Sequence, residues 1–134
     1  MSHTKKILIT GARDWNRPDL IEHVFKFLHA SFPPNETVVI NGGCKGADIQ
    51  AANIARQLKY TVETYPAEWN KYGRSAGPIR NQQMANLLTD QTINIVLAFH
   101  DQLHLSKGTK HMVDICRSKK TIFHITYSSS SYIT

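Results

Sequence analysis

The 134-residue sequence is poor in cysteine and contains no long apolar run, and each of these features excludes some classes of protein. Its two cysteines, Cys44 and Cys116, are too few for a disulfide framework or a structural zinc site, so we expect both to be reduced thiols. The longest apolar runs, such as Ile93–Phe99, have the length of a strand and are too short to cross a membrane. The first residues lack the apolar stretch and cleavage site of a secretion signal. These absences predict a cytoplasmic protein without a membrane partner.

Two nucleotide-binding signatures are also missing. There is no G-x-x-x-x-G-K-[ST] phosphate loop and no G-x-G-x-x-G dinucleotide fingerprint, which argues against ordinary NTPase and dehydrogenase chemistry. The one histidine cluster, His100, His104 and His111, has no acidic pair or cysteine at metal-ligand spacing nearby. We therefore predict no metal site and no cofactor, and the role of this cluster stays open.

Five predicted strands alternate with four predicted helices. The strands lie at residues 5–10, 37–40, 60–65, 93–99 and 121–125, and the helices at residues 18–28, 47–58, 78–88 and 109–116, with a long loop at 66–77. Four strands are near-continuous apolar runs, which is typical of a parallel sheet that helices cover on both faces. The strand at 60–65 alternates between apolar and polar residues, which indicates an edge strand.

Right-handed crossovers between these elements favour the doubly wound strand order 3-2-1-4-5. We therefore predict a three-layer α/β fold with a five-stranded, mostly parallel, Rossmann-like sheet. Residues 1–127 are predicted to form a single domain, and residues 128–134 a short serine-rich tail.

In such sheets, ligands bind at the carboxyl ends of the strands, where the strand order reverses. A glycine-rich turn, Gly42-Gly43-x-x-Gly46, lies at one such end. Glycines let backbone N–H groups approach a phosphate, the following helix adds the positive end of its dipole, and Lys45 adds a full charge. The alternative is a tight turn in which Asp48 caps or salt-bridges locally.

A second loop of this kind, Ser106-Lys107-Gly108-Thr109, follows the fourth strand. Thr109 either caps its helix or donates a hydrogen bond to a phosphate oxygen. Two such loops at the same edge of the sheet favour phosphate binding by both, because one phosphate can use two helix N-termini.

Arg80 is the most informative charged residue. A helix that begins at Pro78 places it on the same face as Met84 and Leu87, which is the face turned toward the sheet. Arginine is unfavourable at a helix N-terminus unless an anion neutralises it, so we predict that it faces a cleft and an anionic ligand. The alternative is an ion pair with Asp14 or Asp48.

The aromatic residues near these loops leave two interpretations open. Trp15 follows the first strand, close to Gly11 and Arg13, and Trp69 lies in the predicted loop with Tyr72. Each tryptophan either stacks on a base, as aromatics do in nucleotide and single-strand sites, or fills the core beneath its loop.

Taken together, these motifs resemble a known superfamily. The stretches ITGARDW (9–15), NGGCKGAD (41–48), YPAEWNKYGRSAGPIRNQQM (65–84) and AFH…KGTKHMV (98–113) resemble the SLOG superfamily, and within it the YspA-like branch. This superfamily includes the LOG phosphoribohydrolases and the DprA/Smf DNA-processing proteins. The resemblance implies a site for a nucleotide or nucleotide derivative, often in a homodimer.

Several positions carry over from this resemblance. Gly42, Gly43 and Gly46 match the first glycine motif, Arg80 with Asn81 matches the Arg-Asn pair, and Gly108-Thr109 matches the end of the second glycine loop. The predicted ligand-binding residues are Gly11, Arg13, Trp15, Gly42, Gly43, Lys45, Gly46, Asp48, Trp69, Arg80, Asn81, Gly108 and Thr109.

The sequence departs from the superfamily pattern at the second loop. Leu105 and Ser106 stand where glycines are expected, and no glutamate follows the Gly-Thr pair as it does in the hydrolases. We therefore predict binding of a nucleotide-derived, ADP-ribose-like ligand and no confident catalytic residue, with Arg80 and Asp48 as the candidates. Cleavage of nucleoside monophosphates at the N-glycosidic bond is the enzymatic alternative. Single-stranded nucleic-acid binding, which the net charge of +6 permits, is a weaker one.

Overall fold

The computed structural model describes residues 3–119 and 122–131, and it contains a five-stranded, all-parallel sheet. The order of the strands is β3-β2-β1-β4-β5, which confirms the predicted fold class and topology. The strands are β1 (Lys5–Gly11), β2 (Thr37–Asn41), β3 (Thr61–Thr64), β4 (Ile93–Phe99) and β5 (Ile122–Tyr127). The helices are α1 (Pro18–Leu28), α2 (Ala47–Gln57), α3 (Trp69–Tyr72), α4 (Ala76–Asn86) and α5 (Gly108–Arg117).

Two hydrophobic cores lie on opposite faces of the sheet. Ile7 and Ile9 of β1 pack in the core that holds α1 and α2, whereas Leu8 between them packs in the core that holds α4 and α5. This division follows from the alternation of side chains along a strand. Burial on both faces explains the continuous apolar runs in β1, β2 and β4.

The last strand differs from the prediction because one of its faces is covered only at Tyr127, which packs against the core on the α1 and α2 side. Ile122 packs against the α5 side, but Phe123 is 71% exposed and Ile125 is 40% exposed on the other face. The described helices on that face, α1 and α2, connect β1, β2 and β3, at the other end of the sheet. The expectation of helices on both faces is therefore wrong for β5. Residue 121 of the predicted strand lies outside the described residues.

The segment predicted as a loop at 66–77 is largely helical. It contains α3, a 3-10 turn at Gly73–Ser75, and the start of α4 at Ala76, which precedes Pro78. Proline is tolerated in the first turn of a helix because the N–H that it lacks has no intrahelical acceptor there. Pro78 therefore marks the first turn of α4 and not its first residue.

Residues 128–131 lie against the sheet end and α1. Arg17 donates a hydrogen bond to the carbonyl oxygen of Ser129 (2.6 Å), and the N–H and hydroxyl of Ser129 both donate to the carboxylate of Asp101 (2.6 and 2.8 Å). These hydrogen bonds lower the pKa of Asp101. The boundary of a separate tail at residue 128 remains a prediction, and residues 132–134 lie outside the described part of the chain.

No described helix is long and apolar enough to span a membrane.

The start of α2 packs against the turn after β1 with no room for a side chain. The N–H of Ala47 donates to the carbonyl oxygen of Ala12 (3.1 Å). A Cβ on Gly46 would lie 2.3 Å from that same oxygen, and Gly46 has a φ of +88°. Only glycine fits this contact, which fixes α2 at the carboxyl edge of the sheet.

We expect Gly46→Ala to lower the free energy of unfolding by about 3 kcal/mol or more, because it adds a clash with backbone to an unfavourable φ. Gly73→Ala is the matched control, since Gly73 has a φ of +57° but open space around its Cβ position. It should cost about 1 to 2 kcal/mol, from backbone strain alone. Urea denaturation measures both, and equal losses would show that the contact with Ala12 does not matter.

Candidate functional site

A cleft of about 310 Å³ opens at the carboxyl ends of β1 and β4, where the strand order reverses. This is the place at which ligands bind in doubly wound sheets. Seven of the predicted site residues line this first cleft: Gly11, Arg13, Asp48, Arg80, Asn81, Gly108 and Thr109. The structure thus brings together residues from β1, α2, α4 and α5.

A second cleft of about 350 Å³ lies beside the first. Arg13, Cys44 and Arg80 line both clefts and form the wall between them. The second cleft is also lined by Gly42, Gly43, Lys45, Pro66, Ala67 and Trp69. Two predicted residues, Gly46 and Trp15, line neither cleft.

The two tryptophans differ in their surroundings. Trp15 is 5% exposed, its ring centroid lies 5.4 Å from that of Phe99, and its Nε1 donates to the carbonyl oxygen of Arg17 (3.0 Å). The structure therefore supports the interpretation of Trp15 as a core residue. Trp69 is 52% exposed at the second cleft, so it does not fill the core.

The carboxylate of Asp48 occupies the glycine-rich turn from inside. Its Oδ2 accepts hydrogen bonds from the N–H groups of Gly42 (3.1 Å) and Cys44 (3.3 Å), and Oδ1 of Asn41 accepts from the N–H of Gly43 (2.8 Å). These amides therefore already have acceptors within the chain. This geometry matches the predicted alternative in which Asp48 caps the glycine-rich turn locally. Phosphate binding by residues 42–44 remains a prediction.

Asp48 is buried, and burial raises its pKa from 3.8 to about 6. The hydrogen bond from Cys44, the charge of Arg80 and the hydrogen bond from Gly42 oppose this shift and only partly offset it. The cleft thus contains a carboxyl group that changes its charge near neutral pH.

Arg80 is 9% exposed and held in a fixed position. Its Nη1 donates to the carbonyl oxygen of Gly42 (2.7 Å), its Nε donates to Oδ1 of Asn81 (2.9 Å), and both terminal nitrogens lie within 3.9 Å of Sγ of Cys44. Among residues 3–119 and 122–131, no carboxylate oxygen lies within 4 Å of its nitrogens. The predicted alternative of an ion pair with Asp14 or Asp48 is therefore not formed as a direct contact, although the charge of Arg80 acts on nearby Asp48.

Gly42 makes room for the two buried charges. A Cβ at this residue would lie 2.3 Å from Nη1 of Arg80 and 3.1 Å from Oδ2 of Asp48. A side chain there would displace the guanidinium from its carbonyl partner. The absence of a side chain at Gly42 therefore lets both Arg80 and Asp48 bond to the backbone of this one residue.

Asn81 connects Arg80 to the start of α5. Its Oδ1 accepts from Arg80, so its Nδ2 must be the donor to the carbonyl oxygen of Gly108 (3.2 Å) and to Nδ1 of His111 (3.1 Å). His111 therefore accepts through Nδ1 and carries its proton on Nε2 when it is neutral. No simple sequence signal predicts this role, because His111 lies 30 residues from Asn81.

The N-terminus of α5 faces the first cleft. Oγ of Ser106 accepts from the N–H of Thr109 (3.0 Å), so Ser106 and not Thr109 caps the helix, which corrects one predicted alternative. Within the described residues, the N–H groups of Gly108 and Lys110 have no acceptor. Lys107 is exposed beside them. Gly108 lines the first cleft, so this end of α5 offers the cleft one free N–H donor and the positive end of the helix dipole.

Sequence analysis missed Cys44 and His100 as lining residues of the first cleft. Cys44 lies inside the predicted glycine turn, and His100 directly follows β4. Their positions just after strand ends could have predicted that both line the cleft. The described residues contain no group of three or more His, Cys, Asp or Glu side chains that is placed to hold a metal. His100 and His111 each bond to a separate partner, Gln102 and Asn81 respectively.

The segment Gly73-Arg-Ser75-Ala-Gly77 has the G-x-S-x-G spacing of a nucleophile elbow. Such an elbow requires a strand before the serine and a helix after it. Here α3 and a 3-10 turn precede Ser75, which is exposed and lines neither cleft. The segment therefore has the residue spacing of a nucleophile elbow but not its strand-to-helix structure.

The topology defines a Rossmann-like domain with a cleft at the switch point, at the carboxyl edge of its sheet. The profile of the YspA, cpYpsA-related SLOG family (YAcAr) matches residues 5–72. The chain is also 36% identical over 113 residues to Gene 61 protein of Mycobacterium phage D29, covering 80% of this chain and 84% of that protein. The chain therefore belongs to the YspA, cpYpsA-related SLOG family. No solved structure matches it.

The family match ends before several residues of the site. It includes the glycine turn, Asp48 and Trp69, whereas Arg80, Asn81 and the start of α5 lie beyond residue 72. The case for this second group of residues depends on their geometry in the first cleft.

We expect the pH dependence of stability to reveal Asp48. Because its folded pKa is raised from 3.8 to about 6, the native state binds this proton more tightly than the unfolded state. Its ionisation therefore destabilises the fold as pH rises from 4 to 7, by up to about 3 kcal/mol. The free energy of unfolding of the wild type, minus that of Asp48→Asn, should fall by this amount over that range.

Urea denaturation at pH 4, 5, 6 and 7 measures this difference. Asp114→Asn is the control, because the hydrogen bond from Lys110 lowers the pKa of that exposed carboxyl and moves its effect below pH 4. A wild-type minus Asp48→Asn difference that stays constant between pH 4 and 7 would contradict the assignment.

Proposed function

We propose that the chain binds a nucleotide or nucleotide-derived ligand, with a phosphate group beside Arg80. The observation that carries this proposal is a buried guanidinium on the wall of two clefts with no described carboxylate within 4 Å. Buried charges in proteins are normally paired, so a guanidinium with no carboxylate in direct contact favours an anion from outside as its partner. Membership of the SLOG family supports a ligand of this general kind.

Phosphate suits the groups around Arg80. A guanidinium forms paired hydrogen bonds with phosphate oxygens, and a helix N-terminus binds the same group through its free N–H donors. Lys107, Gly108 and Thr109, at the start of α5, also line the first cleft, and the N–H of Gly108 has no acceptor among the described residues. A volume of about 310 Å³ falls in the range of small-molecule sites.

The glycine turn has a different part in this proposal from the one predicted. Asp48 already accepts from its amides, so the turn contributes the carbonyl oxygen of Gly42, which holds Arg80. The first phosphate contacts then come from Arg80 and α5. Arg13 and Lys45 add positive charge at the mouth of the second cleft.

Cleavage of the ligand is a second candidate function because of Asp48. It is the one acidic residue that lines the first cleft, and its pKa of about 6 suits a general acid. However, one of its oxygens is occupied by two backbone N–H groups, which favours a role in holding the turn. We therefore propose binding without turnover. The homodimer and the cytoplasmic location that the sequence predicts remain expectations.

Incubation of the purified protein with each of the common nucleoside 5′-monophosphates, followed by chromatography, tests for turnover. We expect unchanged nucleotides, because the glutamate of the related hydrolases has no counterpart after Thr109. Release of free base that disappears in Asp48→Asn but persists in Asp114→Asn would instead establish the enzymatic function.

Isothermal titration with AMP, ADP and ADP-ribose tests the binding proposal. We expect Arg80→Ala to weaken binding of whichever nucleotide binds by at least about tenfold, since a desolvated charge pair is worth 2 kcal/mol or more. Arg74→Ala, at an exposed arginine outside both clefts, should leave affinity unchanged. Arg80→Lys should bind at an intermediate level, because it keeps the charge but loses the paired hydrogen bonds.

Circular dichroism and a urea titration would confirm that each arginine variant is folded. Absence of binding by every nucleotide in the wild type would overturn the proposed function. Equal affinity of Arg80→Ala and Arg74→Ala would overturn the role of Arg80.

A further inference from the structure

The second cleft contains an exposed aromatic ring that the phosphate site does not use. Trp69 begins α3, and half of its surface faces solvent although the rest of the ring is supported. Its Cη2 lies 3.5 Å from where a Cβ on Gly77 would stand, so the ring rests against the start of α4. Pro66 and Ala67 line the cleft on the same side. The ring is therefore fixed on one side and open on the other.

The charge of this cleft has one sign. Arg13, Lys45 and Arg80 line it, and none of its described lining residues is acidic. Isolated exposed aromatics are common, but an aromatic beside three cations matches a ligand that combines a flat ring with negative charge. Nucleotides have this combination, and their bases stack on tryptophan without regard to the identity of the base.

The position of Arg80 connects this cleft to the phosphate site. Arg80 and Arg13 line both clefts, so a phosphate held by them lies at the junction. A base attached to that phosphate through its sugar has two directions available, toward α5 or toward Trp69. The first cleft offers polar groups of α5 and Asn81, whereas the second offers a partly supported aromatic face.

We propose that the second cleft is the subsite for the base of the ligand, which stacks on Trp69 while its phosphate lies on the wall formed by Arg13 and Arg80. This inference rests on the proposed function and adds to it a residue that distinguishes nucleotides from sugar phosphates. Trp69 contributes ring stacking, and Arg80 contributes charge.

The test compares ligands with and without a base on matched variants. Isothermal titration of AMP, ADP-ribose and ribose 5-phosphate is carried out on the wild type, Trp69→Ala, Trp69→Phe and Tyr72→Ala. Tyr72 is the control because it is an exposed aromatic in the same helix that lines neither cleft. We expect Trp69→Ala to weaken nucleotide binding by roughly 5- to 150-fold, the range of one stacking contact.

Two further results are expected. Trp69→Phe should keep most of the affinity, and ribose 5-phosphate should bind the wild type and Trp69→Ala equally. Nucleotide binding should also quench the tryptophan fluorescence of the wild type but not of Trp69→Phe, because the other tryptophan, Trp15, is buried in the core.

The outcomes separate this inference from the function on which it rests. Nucleotide affinity that depends on Arg80 but is the same in Trp69→Ala, without fluorescence quenching, would overturn the base subsite and leave the proposed function intact. Equal weakening by Trp69→Ala and Tyr72→Ala would also overturn it. No binding by any of the three ligands would overturn both proposals.

Discussion

The candidate site depends on one arrangement, in which two buried groups of opposite charge lie on either side of Gly42. Asp48 accepts the N–H of Gly42, and Arg80 donates to its carbonyl oxygen. Neither charge contacts the other within 4 Å, so the backbone mediates between them. A direct ion pair would satisfy Arg80 and remove its attraction for a ligand. The backbone link keeps the guanidinium ordered while leaving its charge without a direct partner.

The rest of the fold keeps this arrangement in place. Gly46 allows α2, which carries Asp48, to start against the carbonyl of Ala12. At the other end of α4, Lys6 and Lys119 donate to the carbonyl oxygens of Leu87 and Ala85, which anchors the helix that carries Arg80. Lysines near a helix C-terminus also favour its dipole. Some of the positive charge of the chain thus serves to fix α4 and is not available for a ligand.

The fold was predictable from sequence because it follows from hydrophobic periodicity and the handedness of crossovers, and the strand order was predicted correctly. The same topology predicted that the site lies at the carboxyl edge of the sheet.

The sequence did not reveal that Asp48 accepts hydrogen bonds from the amides of the glycine turn, since a glycine pattern does not distinguish an internal anion from an external one. The exposed face of β5 was missed for another reason: an apolar run looks the same whether one or two faces are covered. The link from Asn81 to His111 depends on the packing of α4 against α5, which no local pattern records.

The geometry of the cleft also shows what the second loop offers where the chain departs from the superfamily pattern. Leu105 and Ser106 replace the expected glycines, and backbone amides at those positions are then less able to approach a phosphate. The hydroxyl of Ser106 accepts from the N–H of Thr109, however, and the N–H of Gly108, which lines the first cleft, has no acceptor among the described residues. Asn81 fixes this helix end to Arg80 through the carbonyl of Gly108. The start of α5 is therefore held by two side chains, Ser106 in the loop before the helix and Asn81 in α4.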